Sequence, residues 1–293
     1  MDRVLFGDNQ FFAVNHLSDE KAREQAIRFK DDPSIIRVLD HAREAGINTF
    51  MCTTHERISN ICDHIRSHPE VYRGFKIYPC MPYAHKFANA VTESGYIGTV
   101  RKYVPGNLFG SFAKGGIAYL RKDFISLMEL LIDSEMKMFK GIQTPVIFIQ
   151  NVLVDLILGL GMLEVFREYD LYIRKKYNAE PGYITMNMPA LFDALTSVGI
   201  KDPIICSSIN KIGFRMPGGR TIYEKYLNEK RMRPIAMHVL AAGALRPEEA
   251  IEYLSHFPKI ESVLFGASSK THIVETKELI ESLMPEKKNF SKS

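Results

Sequence analysis

Ser262-Val263-Leu264-Phe265-Gly266-Ala267-Ser268-Ser269 is an apolar run of strand length ending in glycine and small residues, and 271–283 continues it with apolar side chains at helical spacing. A strand, a tight turn and a helix in that order make one β/α unit. The same unit recurs along the chain, with strand-length runs at 4–6, 49–51, 76–79, 146–150, 183–186, 203–207, 233–238 and 262–265. Between them, 34–45 places Ile35, Ile36, Leu39, Ala42 and Ala45 on one helical face before Gly46 stops it, and 247–255 and 272–283 read the same way. Eight such runs without a linker predict one α/β domain over 1–285, a closed (β/α)8 TIM barrel, with an open doubly wound sheet as the alternative.

Composition agrees with a large packed core: 46% of the 293 residues are hydrophobic and 25% charged, which excludes a disordered or disulfide-scaffold chain. The net charge of +4 is spread along the sequence, so no nucleic-acid-binding stripe is expected. Cys52, Cys62, Cys80 and Cys206 follow no zinc or redox spacing and are expected to be reduced thiols in a cytoplasmic protein. The opening residues lack a signal-peptide pattern. The most apolar window, 152–163, contains Asp155 and is shorter than the roughly 20 residues of a membrane span.

The third unit is extended. Residues 85–143 should hold a helix near 92–103, a glycine-rich segment (Pro105-Gly106-Asn107, Gly110, Gly115-Gly116) and a long amphipathic helix at 123–139. This is expected to be decoration of the barrel, with a flap over its mouth as the functional alternative. The apolar side of 123–139 is a candidate subunit interface, and the oligomeric state stays open. The polar, lysine-rich tail 286–293 is expected to be disordered.

In such a barrel the chemistry sits where strands end, so the polar residues after each run are the candidates. They are Asp8, Asn9 and His16; Cys52, Thr53 and His55; Cys80, Tyr83, His85 and Lys86; Gln150 and Asn151; Asn187; Ser207, Ser208 and Asn210; and His238. Asp8, Cys52, Cys80, Asn151, Asn187, Ser208, His238 and Gly266 should share one rim. Gly266, Ala267, Ser268 and Ser269 form a turn that opens a helix, so their N–H groups can hold a phosphate, with residues 240–243 facing the same ligand. A plain β/α turn with a serine N-cap explains the same residues.

At these positions the chain resembles the aldo-keto reductase superfamily. Residues 261–276 are similar to its last strand and cofactor-phosphate loop, Leu240-Ala241-Ala242-Gly243 to its Leu-x-x-Gly loop, and Ala45-Gly46-Ile47-Asn48-Thr49-Phe50 to the entry of its second strand. Ile184-Thr185-Met186-Asn187 stands where the family has Gly-Val-Ser-Asn. The resemblance implies NADP(H) binding through Asn187, Leu240, Gly243, Gly266, Ala267, Ser268 and Ser269.

The family's Asp-Tyr-Lys-His tetrad is absent. Met51-Cys52-Thr53 replaces the aspartate segment, Glu56 falls near the tyrosine position, Pro79-Cys80 stands at the lysine and Gln150-Asn151 at the histidine, while Met237 and Thr276 replace a stacking tyrosine and an adenine-holding asparagine. Ordinary aldehyde reduction is therefore expected to be slow, with His55, Tyr83 or His85 as substitute proton donors. Two alternatives stay open. One is a redox-independent lyase, isomerase or hydrolase, either metal-assisted through Asp8, His16, His55, His85 and His238 or using Lys86 as a Schiff base. The other is a non-catalytic small-molecule-binding barrel.

Overall fold

A computed structural model describes residues 1–12, 19–82 and 117–285. Its centre is a closed barrel of eight parallel strands in chain order, β1-β2-β3-β4-β5-β6-β7-β8, as expected. The strands are β1 Val4–Gly7, β2 Thr49–Thr53, β3 Lys76–Met81, β4 Val146–Ile149, β5 Glu180–Thr185, β6 Ile204–Ser208, β7 Arg233–Met237 and β8 Ser262–Phe265. Closure is made by β1 on β8, with Val4, Leu5 and Phe6 beside Val263, Leu264 and Phe265. The glycine-rich segment and the helix expected at 92–103 lie outside the described residues, as does the tail.

Around the barrel lie α1 Asp19–Arg28, α2 Asp32–Glu44, α3 Glu56–Ser67, α4 Ile117–Met136, α5 Asn151–Gly159, α6 Glu164–Tyr177, α7 Met188–Ser197, α8 Arg220–Glu229, α9 Pro247–Ser255 and α10 Lys270–Leu283. The long helix begins before the expected residue 123, and its last turn, Lys137–Phe139, tightens into a 3-10 helix. Among the described residues no helix is long and apolar enough to cross a membrane.

Strand pleating sorts the side chains into two cores. Leu5, Met51, Tyr78, Cys80, Val146, Phe148, Ile184, Ile204, Cys206, Ile235 and Met237 fill the barrel. Phe6, Phe50, Cys52, Ile77, Ile147, Ile149, Tyr183, Ile205, Ala236 and Val263 belong to the larger core beneath the helices. Gly182 faces inward because Phe148 needs the room: a Cβ there would stand 2.3 Å from its ring. Filled in this way, the barrel is a solid pedestal, and a cavity opens where the strands end.

Candidate active site

That space is a cavity of about 530 Å³ to which the ends of all eight strands contribute. Its wall takes Gly7, Asp8 and Gln10 from β1 and its loop, Met51 and Thr53 from β2, Cys80 from β3, and Gln150 and Asn151 from the end of β4. The other half takes Ile184 and Met186 after β5, Cys206 and Arg215 from β6 and its loop, Met237, His238, Leu240 and Ala242 after β7, and Leu264, Phe265 and Gly266 after β8. A volume of this size suits a small-molecule site, in the range of about 300–1,000 Å³.

Asp8 is the buried carboxyl of this wall. One oxygen, Oδ2, accepts from the Thr53 backbone N–H at 2.8 Å and from the Thr53 hydroxyl at 2.6 Å. Burial pushes the carboxyl above the usual aspartate range, and the two bonds from Thr53 pull it part of the way back. An aspartate thus stands against the end of β2 although β2 itself carries none. Burial foremost, with the Asp8 charge, raises the Cys80 thiol well above the usual cysteine range, which disfavours its thiolate.

His238 follows β7, which β8 alone separates from β1 around the barrel, and sits in left-handed backbone, φ 53°. Its Nδ1 shares a hydrogen bond of 2.9 Å with the buried Ser208 hydroxyl. Three left-handed residues follow in the same loop, Ala241, Ala242 and Gly243, at φ 46°, 59° and 94°. For the two alanines this is a disfavoured conformation of the kind that collects at functional loops.

The other expected residues divide. His55 does not line the cavity. It caps α3, its Nδ1 accepting from the Arg57 N–H at 3.2 Å, and its ring stacks on Phe12 with centroids 4.1 Å apart. Tyr83 and His85 lie outside the described residues, with His16 and Lys86. Asn187 caps α7, its Oδ1 accepting from Ala190 N–H at 3.3 Å, and is not part of the wall. Ser269 caps α10 in the same way, through His272 N–H at 3.3 Å. Of the rim expected from sequence, Asp8, Cys80, Asn151, His238 and Gly266 meet at the cavity. Cys52 instead points into the outer core, and Ser208 stands behind His238.

The phosphate loop has mixed geometry. The Gln10 amide, whose nitrogen donates to Gly7 O at 2.8 Å, fills the space over Gly266, where a Cβ would come within 2.1 Å of its oxygen. Beyond it, the N–H groups of Ala267, Ser268 and Ser269 have no partner among the described residues, and the exposed Arg28 reaches this turn to bond the Ser268 carbonyl. Free amides at the N-terminus of a 14-residue helix with a guanidinium alongside fit the phosphate end of NADP(H). Asn187, which the resemblance puts at the carboxamide end, lies outside the cavity wall with its Oδ1 on the Ala190 N–H. Among the described residues no group of acidic, histidine and cysteine side chains could hold a metal.

Comparisons with known proteins carry the fold further than the site. No family model matches the sequence, and no curated relative does. Solved structures do. One described as an aldo-keto reductase from Pseudomonas aeruginosa superposes with a TM-score of 0.59 at 10% identity, over 96% of this chain and 89% of that one. An aldo/keto reductase from Brucella melitensis gives 0.50 at 10% identity, over 86% and 85%. A structure described as a 2,5-diketo-D-gluconic acid reductase B gives 0.52 at 9% identity, over 96% and 85%. The chain shares its (β/α)8 barrel fold with these structures.

Proposed function

We propose that this barrel is an enzyme that binds NADP(H), or another phosphate-bearing ligand, along the loops after β7 and β8 and reduces a small carbonyl compound with Asp8 as the proton source. The observation that carries the reading is the buried Asp8 carboxyl in the cavity wall, held by Thr53 and biased towards its protonated form. NADPH, when bound, supplies the hydride. The turn at Gly266, Ala267, Ser268 and Ser269, with Arg28 beside it, holds the phosphate. Leu240 and Ala242 border the ligand on the β7 side. Thr53 fixes the carboxyl by occupying Oδ2, which leaves Oδ1 to deliver the proton to the substrate oxygen, and the apolar wall of Met51, Met186, Met237 and Leu264 keeps water from competing.

One observation favours a second reading, redox-independent proton transfer between Asp8 and His238: Asn187 is committed to capping α7. A fluorescence titration with NADPH separates the two. Saturable binding, with Asp8→Asn binding NADPH as the parent does but losing turnover of a small aldehyde about 10²–10⁴-fold, supports the redox reading. No binding at millimolar NADPH, or undiminished turnover in Asp8→Asn, overturns it.

A further inference from the structure

Arg215 lies in the loop between β6 and α8, half-buried in the cavity wall, with backbone in the left-handed region at φ 54°. Its guanidinium lies over the Phe214 ring, 5.5 Å from the centroid. The loop is pinned: buried Asn210 accepts from Phe214 N–H at 2.8 Å and donates to Phe214 O at 2.9 Å and to His238 O at 3.4 Å. A stacked guanidinium on a fixed loop has already lost much of the freedom that ligand binding would otherwise cost.

The neighbouring cations are engaged, Lys211 with Glu249 at 2.6 Å and Arg220 with Glu224 at 3.0 Å. Arg215 has no carboxylate among the described residues, and the carboxyl sharing its cavity, Asp8, is held by Thr53 instead. Arg28, the cation at the β8 turn, is not part of the cavity wall. The positive group facing the reacting space is therefore distinct from the one suited to a phosphate.

We infer that the cavity selects substrates bearing a carboxylate on an apolar body, and that Arg215 recognises the carboxylate while Met51, Met186 and Met237 take the body. The inference rests on the cavity being the active site. A planar guanidinium can grip a carboxylate through two parallel N–H bonds, and thioether side chains adapt to bodies of different shape. 2-Oxo acids combine that carboxylate with a reducible carbonyl.

The test uses the full chain and measures, by calorimetry, binding of pyruvate, 2-oxoisocaproate and phenylpyruvate, each against its methyl ester. The parent should bind at least one acid about tenfold or more tighter than its ester. Arg215→Met should erase that preference and leave ester binding unchanged, with Arg215→Lys in between, while NADPH binding stays within about twofold of the parent, as expected when no charge-assisted contact to it is lost. No preference for any acid in the parent, or a preference that survives Arg215→Met, overturns the inference. So does loss of NADPH affinity in Arg215→Met with the acid preference intact, which would place a phosphate on Arg215. Asp8→Asn separates the two claims: acid binding kept without turnover supports both, whereas turnover kept alongside an Arg215-dependent preference removes Asp8 and leaves Arg215 standing.

Discussion

The two ends of the barrel carry similar charges and treat them oppositely. At the N-terminal floor Lys76 bonds Asp2 at 2.8 Å, and Arg233 bridges Glu180 and Glu261, the latter at 3.0 Å. The Asp2 carboxylate also accepts from Thr49, and these bonds, with the Lys76 charge, hold it below the usual range despite its burial. At the mouth, among the described residues, Asp8 has hydroxyl and amide partners but no cation, its carboxyl is raised, and Arg215 lines the cavity without a carboxylate. A floor of matched charges supports the strands. A mouth of unmatched ones is costly to fold and useful only when something binds.

The largest effect that could break this contrast is at Asp8. Asp8→Asn should lower turnover about 10²–10⁴-fold while leaving the fold as stable or more so at neutral pH. The sign follows from linkage. A carboxyl whose folded pKa lies above the unfolded value of about 3.9 costs stability as pH rises from that value through the folded pKa. Parent stability should therefore fall relative to Asp8→Asn across that window and then level off. Urea melts at a series of pH values check it; an Asp8→Asn variant that is progressively the weaker protein as pH rises would make Asp8 a structural ion like Asp2.

Next in size is the solid interior between the two ends. Gly182→Ala drives a methyl into the Phe148 ring, which is fully buried and has little room to turn. The expected loss is about 2–3 kcal/mol by urea denaturation, and Phe148→Leu should recover part of it. A neutral Gly182→Ala would mean that the barrel interior has slack around Phe148.

The interior also shows what could be read from sequence alone. β8 has the predicted bounds because Ser262-Val263-Leu264-Phe265 is an uninterrupted apolar run with a glycine stop. β5 begins three residues before its expected start, at Glu180, since Pro181 and Gly182 look like a turn until Phe148 explains the glycine and the first residues of a strand accommodate the proline. At the mouth, residue type was visible and direction was not. Asp8 was one polar strand end among many, because its hydrogen-bond partner Thr53 is 45 positions away. His55 was singled out for its titration range, and nothing local reveals that its ring turns to α3 and Phe12. Arg215 follows no apolar run closely, so only the fold of the β6 loop brings it to the cavity.

At the floor, Arg233→Met should cost about 1–3 kcal/mol, an intermediate figure for a partly buried ion network, because Glu180 and Glu261 are left facing each other. Added salt should narrow the gap by screening that repulsion. Ligand binding at the mouth should be unchanged once the variant is folded. A change in NADPH or 2-oxo-acid affinity would show that the floor and the mouth are coupled through the barrel.

The smallest expected effect decides whether His55 belongs to the mouth at all. As the N-cap of α3 it accepts one backbone N–H and stacks on Phe12, so His55→Ala should cost about 1 kcal/mol, within the range measured for lost caps. His55→Asn should recover much of this, since asparagine is a strong N-cap residue, and what remains measures the stacking on Phe12. Turnover should be the same in both variants. If His55 were the proton donor instead, Asn would rescue stability but not rate, because an amide has no proton to give near neutral pH. Stability and turnover measured on the same two variants therefore give opposite patterns for a cap and for an acid, and equal turnover in parent, His55→Ala and His55→Asn would confine proton transfer to groups other than this ring.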